Sequence, residues 1–176
     1  MGIQKALRLL LLLLPLNTYA TSAVDLFSAA AGGNQARVEA LLAQGFDVNS
    51  ATPGGRTALM GASFGGNARI VQTLLAYGAD VNMADNTGTT ALMDALIFSH
   101  ENIVTLLITA GADVNAKDNQ KITVLGRAKK VGNQRIIKIL EQAEAQDAPQ
   151  AEEAEPVAEE GEAGEGVTDE QEKPSE

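Results

Sequence analysis

The chain has 176 residues, a formal net charge of −10, one histidine and no cysteine. Without a thiol it can form no disulfide framework, carry no lipoprotein anchor and use no thiol nucleophile. Its length allows about one domain, and its acidity argues against nucleic acid as a partner.

The first segment pairs Lys5 and Arg8 with an apolar run from Leu9 to Leu16 and a small-residue exit at Thr18-Tyr19-Ala20. That is the layout of a secretory signal peptide. The apolar run falls well short of the roughly 20 residues a helix needs to cross a bilayer. Residues 1–20 are therefore expected to be removed after Ala20, or as late as Ala23. No stable membrane anchor then remains, and the mature chain is expected to be periplasmic or secreted.

Next comes a repeat of 33 residues. Gly45-Phe46-Asp47-Val48-Asn49 returns as Gly78-Ala79-Asp80-Val81-Asn82 and as Gly111-Ala112-Asp113-Val114-Asn115. Thr57-Ala58-Leu59-Met60 returns as Thr90-Ala91-Leu92-Met93 and as Thr123-Val124-Leu125-Gly126. A period of this length signals stacked small units, each unable to bury its apolar faces alone. Val38, Val71, Val104 and Ile137 share one column, three residues ahead of Leu41, Leu74, Leu107 and Leu140; this spacing makes one helical stripe. Ala29, Ala62, Ala95 and Ala128 mark where an inner helix must approach its neighbour closely. Thr57, Thr90 and Thr123 are placed to cap helix N-termini, and Gly45, Gly78 and Gly111 to end helices in the left-handed conformation. Gly33, Gly66 and Gly132 divide each unit into two short helices, and Asn86-Thr87-Gly88 reads as a turn. About 120 stacked residues should be stable by roughly 5–10 kcal/mol.

The last segment, 146–176, is of another kind. From Asp147 onward it carries twelve Asp or Glu against one Lys, and Val157 and Val167 are its only apolar residues beyond alanine. Such a stretch buries too little apolar surface to offset its chain entropy and is expected to be a disordered acidic tail. The tail contributes −11, the leader +2 and the repeat region about −1 to the net charge.

Asp85-Asn86-Thr87-Gly88-Thr89-Thr90-Ala91-Leu92, Ile103-Val104, Leu107 and Gly111-Ala112-Asp113-Val114-Asn115 together resemble the ankyrin repeat. The resemblance covers residues 24–145 as about four units: 24–51, 52–84, 85–117 and 118–145. It implies an all-α repeat solenoid of helix-turn-helix units whose hairpin-like loops project from a concave face made by the first helices. Departures from the family pattern fall in units two to four. Ala58, Ala91 and Val124 replace its proline, Met60, Met93 and Gly126 its histidine, and Thr52 its loop-start Asp. In the fourth unit Lys121 replaces the loop glycine and Glu144 the glycine after the second helix. Looser loops and a fraying last helix are the expected consequences.

The resemblance also implies where a partner would bind. Carried over by column, the hairpin tips are Pro53 and Arg56, then Asn86, Thr87 and Thr89, then Asn119, Gln120 and Ile122. The concave helix positions are Phe64, then Ile97 and Phe98, then Lys130 and Val131. Phe64, Ile97 and Phe98 read either as an exposed apolar strip, which would mark an interface, or as core tucked between inner helices. Seven of the ten basic residues between Thr21 and Gln146 fall between Lys117 and Lys138. They read as a soluble end cap, or as a patch over which the acidic tail folds back in competition with an anionic partner. In the second case, removing residues 147–176 tightens binding at low salt.

No catalytic constellation appears. His100 falls in the column of Asn34, Asn67 and Asn133, a turn position, and Asp47, Asp80 and Asp113 recur as loop residues one repeat apart. There is no phosphate-cradling loop, metal-ligand spacing or nucleophile elbow. A non-catalytic, monomeric module that needs no cofactor or metal and binds another protein in the periplasm, stabilising or regulating it, is the expected function. The runner-up is a secreted effector or inhibitor acting on a target outside the producing cell.

Overall fold

The computed structural model describes residues 17–147, with side chains from 23 to 144. The leader up to residue 16 and the acidic tail from 148 lie outside the described residues. Eight helices follow in order: α1 (Asn17–Ala31), α2 (Gln35–Ala43), α3 (Ala58–Phe64), α4 (Ala68–Ala76), α5 (Ala91–Ile97), α6 (Glu101–Thr109), α7 (Val124–Val131) and α8 (Gln134–Asp147). α1 spans both expected cleavage points, residues 20 and 23. None of these helices is long and apolar enough to cross a membrane.

The helices form four antiparallel pairs. The inner helices α1, α3, α5 and α7 pack in succession, and so do the outer helices α2, α4, α6 and α8. The repeat columns become the core: Leu41, Leu74, Leu107 and Leu140 are all buried, with the alanine column sealing the inner row. As the cap reading requires, the hydroxyls of Thr57, Thr90 and Thr123 accept from the backbone N–H of Met60, Met93 and Gly126. Between the paired helices one residue must turn left-handed. Gly33, Gly66 and Gly132 do this without a Cβ penalty, and Ser99 does it at φ 58° in the third unit.

Short hairpins join the units, each closed by one antiparallel bridge: Ala51 with Thr57, Ala84 with Thr90 and Lys117 with Thr123. The recurring aspartates serve as expected in their loops, since Asp47, Asp80 and Asp113 accept the N–H two residues further on. The recurring asparagines join units. Asn49 donates to the Gly78 carbonyl and accepts from the Asp80 N–H at 2.7 Å. Asn82 repeats this with Gly111 and Asp113.

The fourth unit is as regular as the others, against the expectation of looser loops. Asp118 accepts from the N–H groups of Gln120 and Ile122, and Lys121 takes the left-handed conformation itself at φ 64°. The departure at Lys121 has a positional cause. A Cβ on Gly55 would come within 2.9 Å of the Asn86 backbone nitrogen, and one on Gly88 within 2.8 Å of that of Asn119. No unit follows Lys121 among the described residues, so a side chain fits there. The same rule explains Lys129, which is exposed where Ser63 and Leu96 are buried, and Gly126, exposed where Met60 and Met93 are buried.

Candidate binding face

The first helices end together on one side of the stack, and there the strip foreseen from the columns is exposed. Phe64, Ile97, Phe98 and Val131 are 40%, 40%, 60% and 42% accessible, so the core reading of this strip does not hold. The Phe64 and Phe98 rings meet edge to face, with centroids 5.2 Å apart at 78°. This pairing is a favoured aromatic geometry and holds both rings on the surface as one unit. Unit two contributes no side chain beside Phe64, because a Cβ on Gly65 would fall 2.5 Å from the Ala31 carbonyl oxygen. Lys130 and Val131 continue the strip into the fourth unit, both exposed.

Behind the strip lies the stitch that fixes it. Asn67 donates to the carbonyls of Ala30 and Ala31 in the preceding unit, at 2.8 and 3.1 Å. His100, one repeat later, sets Nε2 3.2 Å from the Phe64 carbonyl, and its ring lies 6.1 Å from that of Phe98. The single histidine therefore occupies the structural turn position read from its column. Among the described residues no group of His, Asp and Glu is arranged to hold a metal ion.

The hairpin tips divide. Pro53, Asn86, Thr87, Asn119 and Gln120 are exposed, as anticipated. Asn86 and Asn119 also bind the preceding hairpin: Asn86 donates through Nδ2 to the Pro53 carbonyl, and Asn119 to that of Asn86. This row of linked tips presents mainly neutral polar groups. Thr89 and Ile122, expected beside them, are not free surface. Thr89 is buried, its N–H donated to Asp85 and its hydroxyl 3.0 Å from that of Thr87, while Ile122 is half-buried. A short loop packed on the next helix has room for only its outermost residues in solvent.

Arg56 departs furthest from the tip reading. Its guanidinium turns inward across the unit boundary, 2.5 Å from the Asp94 carboxylate and 3.6 Å from that of Asp85, and it stands 5.6 Å from the Phe27 ring centroid. Asp94 is buried on α5. Burial pushes its pKa up to about 6 despite the opposing charge of Arg56, with Asp85 adding to the rise and Arg127 opposing it. At Asp85 burial also acts upward, but the Thr87 hydroxyl, the N–H groups of Thr89 and Thr87, and Arg56 together hold the carboxyl below the usual range. Asp118 is held low chiefly by the Ile122 N–H, with Arg127 donating to it at 2.6 Å. These ion pairs link loop to inner helix beneath the tips. Column reasoning missed Asp94, although one signal was present: a lone carboxylate inside the run Ala91-Leu92-Met93-Asp94-Ala95-Leu96.

Stacked helix pairs, linked hairpin tips and an exposed aromatic strip on the inner helices define a repeat interaction module. A family model described as ankyrin repeats, three copies, matches residues 26–118, more than half of the chain. The chain belongs to the ankyrin-repeat family, and as such it is a module of the kind that binds other proteins. The fourth helix pair, α7 and α8, lies beyond the matched residues and packs on the third. No curated protein matches the chain.

Proposed function

We propose that the protein is an exported, monomeric and non-catalytic module that holds a partner protein in the periplasm and stabilises or regulates it. The observation that carries this reading is the Phe64–Phe98 pair, exposed beside Ile97 where two inner helices end. Aromatic anchors at the centre of a patch commonly dominate binding energy, and neutral polar tips around them suit a rim. Such a surface accepts a partner that offers an apolar side chain to the rings and an acidic group toward Lys130. The leader-like segment of residues 1–20 supports export.

The test is a cross-linked pull-down from periplasmic extract with the protein and a Phe64→Ala, Phe98→Ala variant whose fold is checked by circular dichroism. Both rings project into solvent, so the variant is expected to fold. One dominant protein held by the parent and lost by the folded variant supports the reading. Equal retention by both overturns the placement of the site. Absence of any specific protein moves the target outside this compartment, which is the effector alternative.

A further inference from the structure

Charge is unevenly divided along the stack. Residues 17–116 carry three Arg or Lys against eight Asp or Glu, a net of −5. Residues 117–144 carry seven against three, a net of +4. One of those seven is committed to a neighbour at close range, Arg127 to Asp118 at 2.6 Å; Lys129 meets Glu141 only at 3.7 Å, with both side chains largely in solvent. Arg135 reaches Glu101 at 3.7 Å with most of its side chain in solvent. Lys117, Lys121, Lys130 and Lys138 are exposed and have no carboxylate in salt-bridge range among the described residues.

Lys121 stands in the column of Gly88, which meets the next hairpin, and Lys129 in the column of buried Leu96; Lys130 follows Lys129 in the last turn of α7, on the binding face. An end cap needs polar residues, but solubility does not require that they share one sign. The chain that continues from α8 in this same unit, residues 148–176, carries eleven acidic residues and one lysine, a net of −10. Taken together, residues 17–116 repel it and residues 117–144 attract it. Twenty-nine residues can extend up to about 100 Å, so reach sets no limit.

We infer that segment 148–176 is an intramolecular ligand of the fourth unit, lying across Lys121, Lys129 and Lys130 and screening the adjoining end of the binding face. Its contacts are ionic and multiple, so it is displaced by salt and by a partner whose own acidic groups compete for the same lysines. This reading stands whether or not the aromatic strip binds a protein, because it concerns the free chain.

The absence of cysteine makes the test direct. A nitroxide is attached to the full chain through Ser175→Cys, and amide signal loss is read by NMR at about 20 mM and about 500 mM salt, where screening lengths are roughly 20 and 4 Å. Expected is loss of signal at Lys121, Lys129 and Lys130, none at Ala36 and Glu39 in the first unit, and full recovery at high salt. A triple variant Lys121→Glu, Lys129→Glu, Lys130→Glu, with the rest of its spectrum unchanged, is expected to show no loss at either salt. Equal broadening in the first and fourth units, no broadening at low salt, or broadening that survives high salt would each overturn the inference.

Discussion

The third and fourth units share a skeleton and differ in their neighbours. Both have a threonine-capped inner helix, a left-handed break and an Asp-anchored hairpin. The third is enclosed on both sides, whereas the fourth has described structure on one side only. At three positions enclosed in the third unit the fourth unit substitutes: Gly88 becomes Lys121, Met93 becomes Gly126 and Leu96 becomes Lys129. The lesson is that the helix pair follows from the motif, while the residues around it follow from place in the stack. An apparent violation of the repeat is thus a sign of which face has no neighbour.

The most direct way to break this comparison is to give the third unit the fourth unit's freedom. In Gly88→Ala the new methyl meets the Asn119 backbone nitrogen at 2.8 Å, and the residue must still hold φ 77°. Left-handed backbone alone costs about 1–2 kcal/mol outside glycine, and displacing a neighbouring hairpin adds a similar amount. A loss of about 3 kcal/mol is expected in urea unfolding. If the loss is under about 1 kcal/mol, the hairpins are not closely stacked and the positional account fails.

Much of this was legible before any coordinates. Columns that recur every 33 residues fixed the helix pairs, caps and core leucines, because each residue in a column meets the same neighbours. The aromatic strip was half legible: the columns located Phe64, Ile97 and Phe98, but whether they faced solvent depended on packing that no single unit contains. The tips were less so. Arg56 occupies the column of Thr89 and Ile122, yet its length carries the guanidinium across a unit boundary to Asp94, 38 residues away. A link of that kind depends on side-chain reach and on the charge of the next unit, and column spacing encodes neither.

That link sharpens the comparison a second way, since the fourth unit has Arg127 in the column where the third has the buried Asp94. With its pKa raised to about 6 from 3.8, Asp94 keeps a proton in the folded chain that the unfolded chain has lost between about pH 4 and 6. Its contribution to stability is therefore greatest at low pH and declines as pH rises through that window. Asp85 and Asp118 act in the opposite sense, but with lowered values their windows lie below about pH 4. From pH 7 to pH 5 the protein should gain about 1 kcal/mol in urea unfolding, and Asp94→Asn should abolish the gain. A variant that keeps it would assign the effect to other groups.

The smallest expected effect is the reciprocal of the first. Lys121 holds a left-handed backbone without the glycine that suits it, at a place where no neighbour demands glycine. Lys121→Gly relieves that strain but gives the unfolded chain more freedom to lose, so the two terms partly cancel. A net gain of about 0.5 kcal/mol is expected, against the loss of about 3 kcal/mol from adding a methyl at Gly88. Lysine at this position is thus retained against a small stability cost. In a chain whose residues 17–116 sum to −5, the property it supplies at that site is positive charge at the end of the stack. If Lys121→Gly proves neutral or destabilising, the lysine contributes to the fold, and its presence there needs no electrostatic reason.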